Sequence, residues 1–164
     1  MTEHIVGVIS DTHGLLRPEI LNVFKECEHI VHAGDIGDLH IIDALNKIAP
    51  VTAVRGNCDR DGWAYKFPFA ETLNRGEICL YLLHDLNRLD LDPKMAGFDM
   101  VISGHIHRPL LEHRNGVMFL NPGSAGPKRF TLPIQCCQAT NRGQVDGCGV
   151  YCSRSHFLTE FCSN

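Results

Sequence analysis

The sequence predicts an α/β domain with a parallel first half and a strand-rich second half, on three observations. Short apolar runs alternate with segments of helical spacing up to residue 59. From Glu77 onward the apolar runs come closer together, and two Asn- and Gly-containing turns separate strand-like segments towards the end. Strand, helix, strand, helix, strand is the order of a parallel half with right-handed crossovers. A chain of 164 residues fits one domain, spanning 1–164, with enough core to fold without staples.

The first element, His4 to Ser10, is an apolar run that ends in Ser-Asp-Thr-His-Gly, as a buried strand entering a polar loop does. Arg17 to Glu28 carries Ile20, Leu21, Val23, Phe24 and Cys27 at helical spacing, and Pro18 suits a first turn. His29 to His32 is a brief second strand ending at Ala-Gly-Asp. Asp38 can cap the helix that follows, Leu39 to Ile48. Pro50 to Val54 is a third strand ending at Arg-Gly-Asn-Cys-Asp. Ile78 to Leu83 runs into His84-Asp85, and Asp99 to Ser103 runs into Gly-His-Ile-His. Leu110 to His113 and Val117 to Leu120 flank Arg-Asn-Gly, a strong hairpin signal. Ile134 to Thr140 and Val145 to Cys152 form a further hairpin through Asn-Arg-Gly. Residues 60–76 and 122–132, which carry no assigned helix or strand, are expected to shape whatever pocket exists. No repeat, low-complexity tract or linker interrupts the chain.

Composition narrows the function classes. Hydrophobic residues at 44% and charged residues at 21% are ordinary globular usage. A net charge of −4 offers no footprint for strong nucleic-acid binding or an anionic membrane. The N-terminal stretch lacks a basic leader with a long apolar region and reads as a core strand, so a cytoplasmic location is expected. No run approaches the roughly 18 apolar residues of a membrane span. The eight cysteines should then stay reduced. Cys136, Cys137, Cys148, Cys152 and Cys162 crowd the last part of the chain, but Cys148-x3-Cys152 has no partner pair to complete a zinc site.

Five strand ends carry metal-ligand side chains: Asp11-x-His13, Gly34-Asp35, Gly56-Asn57-Cys58-Asp59, His84 and Gly104-His105-Ile106-His107. In open α/β sheets the carboxyl ends of strands converge on one crevice. Two carboxylates, an amide oxygen and four imidazoles suit first-row divalent ions. A single histidine is more often a core or surface residue than a ligand. Five elements in this order reverse that expectation. His4, His29, His32, His40, His113 and His156 stand outside the pattern and are structural by default, with His32 close enough to Asp35 to support it.

This series resembles the calcineurin-like metallophosphoesterase superfamily, and in its short length the small YfcE-like phosphodiesterase branch. The likeness covers about residues 5–129, including Asn121-Pro122-Gly123-Ser124 and Pro127-Lys128-Arg129. It implies a four-layer α/β/β/α sandwich. It also implies one metal on Asp11, His13, Asp35 and His107, and a second on Asp35, Asn57, His84 and His105. Asp35 bridges, because cations roughly 3.5–4 Å apart need a shared anionic ligand. The implied cofactors are two divalent ions, Mn2+ first, with Fe, Ni, Co or Zn as alternatives. The implied reaction is hydrolysis of a small phosphodiester by a metal-bridging hydroxide, with Asp35, Asn57, Cys58, Asp59 and His105 nearest the chemistry. Homo-oligomers are compatible with the resemblance.

Many members of the superfamily carry histidine directly after Gly-Asn, where it supports the leaving group. Here the residue is Cys58, as in the YfcE-like branch, and a thiol is a poorer donor to an alkoxide. Preference for good leaving groups is expected, with Asp59 orienting the loop or a water. Asp85 follows the ligand histidine, where many relatives have glycine, and capping is the first expectation for it. Asn121 to Ser124 reads first as a turn and second as a device that closes the site. Lys128 and Arg129 read as solubilising charge before phosphate contacts. Two other functions compete: a protein-binding scaffold, since a retromer subunit shares this fold, and a phosphomonoesterase or nucleotide phosphatase on the same metals.

Overall fold

Two five-stranded sheets pack face to face, and the side-chain alternation of their strands sets which residues meet. The computed structural model describes residues 5–127 and the strands at 134–140 and 145–151. The first sheet contains β1 (Ile5–Ile9), β2 (His29–His32), β3 (Val51–Ala53), β9 (Ile134–Thr140) and β10 (Val145–Tyr151). Its order is β10-β9-β1-β2-β3, with β1, β2 and β3 parallel and β9 antiparallel to β1. The second sheet contains β4 (Ala70–Arg75), β5 (Ile78–Leu83), β6 (Met100–Ile102), β7 (Pro109–Arg114) and β8 (Val117–Pro122). Its order is β4-β5-β6-β8-β7, with β5, β6 and β8 parallel and the two edge strands antiparallel.

The period of two along each strand divides the core into three interfaces. Val6 and Val8 of β1, Val31 of β2, Leu80 and Leu82 of β5, Met100 and Ile102 of β6, and Met118 and Leu120 of β8 meet between the sheets. The alternate residues Ile9 and Ile30 face outward. They are covered by Ile20 and Phe24 of α1 (Pro18–Phe24) and by Ile41, Ile42 and Leu45 of α2 (Leu39–Asn46). On the far side of the second sheet, Leu83, Val101, Val117 and Phe119 are covered by Leu86 and Leu89. That fourth layer is built from the 3-10 turn Leu86–Arg88; among the described residues no α-helix lies there. The α/β sandwich implied by the resemblance is the fold observed, with this thin outer layer.

Most elements fall where the sequence predicts, and the differences have local causes. The first helix ends at Phe24 instead of Glu28, because Cys27 N–H turns back to Phe24 O and Glu28 N–H bonds Ile5 O, delivering the chain to β2. Asp38 Oδ1 accepts from His40 N–H at 2.9 Å and caps α2. The β7–β8 hairpin closes through Asn115 and Gly116, at φ 52° and 81°, as the Asn-Gly signal requires. Residues 60–76 hold more structure than expected: a 3-10 segment at Gly62–Lys66, then β4. The β4 sequence, Ala-Glu-Thr-Leu-Asn-Arg, has no apolar run, and it is a strand because β5 pairs with it along six positions.

The topology decides where polar groups gather. β1, β2 and β3 end at Asp11, Asp35 and Asn57, and β5 and β6 end at His84 and His105. Gly104 N–H bonds His84 O and Asp11 N–H bonds Gly34 O, so neighbouring strand ends are tied within each sheet.

Candidate metal centre

The two carboxylates share a design in which one oxygen is held by the protein and the other faces the centre. Asp11 Oδ2 accepts from Ser10 Oγ at 2.6 Å and from His105 N–H at 3.1 Å. Asp35 Oδ1 accepts from Cys58 N–H at 2.8 Å. The other oxygens look inward, at imidazoles. Asp11 Oδ1 lies 3.1 Å from His107 Nε2, 3.9 Å from His13 Nε2 and 4.0 Å from His84 Nε2. Asp35 Oδ2 lies 3.9 Å from His13 Nε2 and 3.4 Å from His84 Nε2, between the two groups of ligands named from the sequence. His105 Nδ1 lies 3.1 Å from Asn57 Oδ1, and its ring sits edge-on to His84, centroids 5.2 Å apart.

These residues fit divalent cations. Metal–ligand bonds of roughly 2.0–2.2 Å place donor atoms around one ion roughly 3–4 Å apart, the spacing seen here. Asp11, His13 and His107 present such a set, and so do Asp11, Asp35 and His84. Asp11 Oδ1 and His84 Nε2 are buried and make no hydrogen bond, a costly state for polar atoms unless a cation satisfies them. His84 Nδ1 is 2.7 Å from Ala33 O; donating there commits the proton to Nδ1 and leaves the Nε2 lone pair for the centre.

The electrostatics point the same way. Burial pushes the Asp35 carboxyl up, but His84 and the Cys58 amide and thiol outweigh it and hold Asp35 well below the usual carboxylate range. Burial pushes His84 down, and Asp35 first, then Asp11 and Ala33 O, raise it overall. The two shifts are two sides of one interaction, between the His84 imidazole and the Asp35 carboxylate.

The backbone at the ligands is unusual. Asp11, His13, Asp35, His105 and His107 have φ of 55°, 46°, 52°, 74° and 57°. Among the described residues the one other non-glycine in this region is Asn115, in the hairpin turn. Left-handed conformations at such residues cost on the order of 1–3 kcal/mol each and persist where the surroundings over-determine them. Here they re-aim the side chain at each strand tip.

The supports were only partly visible in the sequence. Asp59 is buried, and its two oxygens accept from the amides of Ile36, Gly37 and Gly56 at 3.0, 2.9 and 2.9 Å. Its geometry is that of a positioning residue binding two loops. His32 accepts from Gly34 N–H at Nδ1, 3.2 Å, and its Nε2 meets Thr12 Oγ1 at 2.9 Å. It thus steadies the residues beside Asp11, His13 and Asp35. Asn121 Nδ2 donates to Gly104 O at 2.6 Å and Ser124 Oγ donates to Asp11 O at 3.1 Å, so that turn grips the backbone of two ligand loops. Ser10 and Thr12 were missed, although each directly precedes a ligand. Asp85 caps the outer 3-10 turn through Asn87 N–H. Lys128, Arg129, Cys152, His156 and Cys162 lie outside the described residues, as does His4.

Comparison with known proteins matches this geometry to a family. Residues 5–143 match the model of the calcineurin-like phosphoesterase superfamily domain. A probable metallophosphoesterase of Methanocaldococcus jannaschii is 35% identical over 141 residues, covering 78% of this chain and 71% of that protein. Phosphodiesterase YfcE of Escherichia coli is 29% identical over 140 residues, covering 70% and 76%. Among solved structures, Vps29 of Cryptosporidium parvum has a TM-score of 0.74 at 20% identity, covering 88% of this chain and 89% of that one, which speaks for the fold alone. Among the described residues no helix is long and apolar enough to cross a membrane. With a family model spanning most of its length, and a carboxylate–imidazole cluster at the tips of its parallel strands, the chain belongs to the calcineurin-like phosphoesterase superfamily.

Proposed function

We propose that the chain is a hydrolase of small phosphodiesters working with two divalent cations, Mn2+ foremost. One is held by Asp11, His13, Asp35 and His107, and the other by Asp35, Asn57, His84 and His105. The observation that carries this reading is the inward turn of Asp11 Oδ1 and Asp35 Oδ2 towards three imidazole nitrogens, with Asp11 Oδ1 and His84 Nε2 buried and unsatisfied. Bound there, the cations supply a hydroxide nucleophile near neutral pH and offset charge on the phosphoryl oxygens.

The protein's own residues do the rest. Ser10, His105 N–H and Cys58 N–H fix the carboxylates, so each offers one oxygen without reorganising. Asn57 and His105 lie at the exposed edge, where a phosphoryl oxygen can approach. By resemblance to the family, Cys58 takes the position from which histidine supports the departing oxygen in many relatives, and a thiol does this poorly. Substrates with good leaving groups are therefore favoured.

Metal analysis of the purified protein, coupled to rates on aryl phosphodiesters and monoesters with Mn2+, tests the reading. Bound metal and faster diester turnover are expected, and Asp35→Asn should lose both the metal and the activity. Full activity in Asp35→Asn would overturn the site. Faster monoester turnover would make it a phosphatase, and a metal-loaded but inert protein would favour a scaffold. Cys58→His should raise rates mainly for poor leaving groups; a uniform effect would remove the leaving-group argument.

A further inference from the structure

The Cys58 side chain belongs to the metal cluster as well as to the loop after β3. Its sulfur, a His13 ring nitrogen and an Asp35 carboxylate oxygen all lie within 4.8 Å of one another. The position is held on two sides. Cys58 N–H is bonded to Asp35 Oδ1 at 2.8 Å, and Asn57 Nδ2 donates to the sulfur at 3.5 Å. Cys58 is exposed while Asp35 is buried, so the sulfur caps the centre from the solvent side. Carboxylate and imidazole donors accept a broad range of divalent ions, whereas one sulfur donor tilts a site towards thiophilic ones.

We propose that Cys58 is a metal ligand, adding a sulfur donor to the ion held by His13 and Asp35 and shifting that ion's preference from Mn2+ towards Zn2+, Co2+ or Cd2+. The inference rests on the reading of His13 and Asp35 as ligands. On binding, the S–H bond breaks, its proton passes to solvent, and the sulfur electron pair forms the sulfur–metal bond, with no change of oxidation state. A sulfur so engaged has no proton for a leaving group, so the identity of the bound metal also sets which esters are cleaved.

Titration of the metal-free protein with Co2+ alone, followed by absorption, tests this. Wild type should show visible d–d bands together with a near-ultraviolet sulfur-to-cobalt charge-transfer band, rising in step. Cys58→Ser and Cys58→Ala should keep the visible bands and lose the charge-transfer band. The ratio of Zn2+ to Mn2+ affinity should fall by about tenfold or more in both variants. Visible bands without a charge-transfer band in wild type would overturn the proposal and leave the carboxylate–imidazole site standing. A charge-transfer band that survives in Cys58→Ser would come from another cysteine and would also overturn it. Absence of any visible band would sink the metal centre itself, and this inference with it.

Discussion

A methyl group at residue 56 would run into the Asp35 carboxylate and the Asp35 amide, and one at residue 104 would meet Ser10 Oγ and Asp11 Oδ2. Both glycines exist so that a strand end can lie directly against a carboxylate that must hold its orientation. Gly56→Ala should lower divalent-metal affinity by roughly 10–100-fold, the usual effect of disturbing a ligand's support. It should also destabilise the fold by about 1–3 kcal/mol, as overpacking does. Gly62→Ala is the matched control, because nothing lies within 4 Å of an added Cβ there. Metal titration and chemical denaturation of the two variants, side by side, check both halves. Equal behaviour would mean the close approach at Gly56 has no consequence for the site.

At the scale of elements, α2 covers the outer face of the first sheet with Ile41, Ile42 and Leu45. Leu45 is fully buried against Ile9, Ile30 and their neighbours. Leu45→Ala should cost about 2–5 kcal/mol of stability, read from denaturation. Metal affinity of the remaining folded protein should not change, since Asp35 and Asp59 are fixed by backbone amides and not by the helix. A parallel loss of metal affinity would show that the helix layer and the site are coupled. β4 makes the opposite point. It has alternate exposed residues and no strong signal of its own, and its pairing with β5 closes the edge of the second sheet.

For the whole molecule, buried histidines set the response to acid. His32 is fully buried; burial first, with a small push from His84, lowers its pKa to about 4 against the pull of Asp59, Asp11 and Asp35. Its hydrogen bonds explain why charge is unwelcome: Nδ1 accepts from Gly34 N–H and has no acceptor for a second proton. His29, buried and close to Arg75, is likewise lowered to about 4, by burial first and then by the guanidinium. In the unfolded chain both groups titrate near 6.5. Below that pH the unfolded state binds the extra protons, so the stability these two histidines contribute is complete above about 6.5 and declines as pH falls towards about 4, while His84, raised, works in the opposite sense. His32 alone accounts for roughly 3 kcal/mol across that window. Bound cations would offset Asp11 and Asp35 and push His32 further in the same direction. Denaturation profiles at several pH values should show this decline; a flat profile between pH about 6.5 and about 5 would contradict it.

The order of short apolar runs and polar strand ends determined the parallel half, the strand-rich second half and the seven ligand-type side chains, since these rest on local periodicity and residue chemistry; the division into two sheets came from the family resemblance. Asn115-Gly116 likewise fixed its hairpin, because only a left-handed turn joins those strands. What the tertiary structure alone decided is contact between distant parts of the chain. Ser124 on Asp11, Asn121 on Gly104, and Asp59 on Ile36 and Gly37 are hydrogen bonds across the sheets or between loops. No residue type or spacing announces them. β4 belongs to the same class: its backbone is satisfied by a neighbour rather than by its own pattern. The approach of the Cys58 sulfur to His13 is also non-local. Adjacency to Asn57 was written in the sequence, but Cys58 and His13, 45 positions apart, are brought together only by the parallel pairing of β1, β2 and β3.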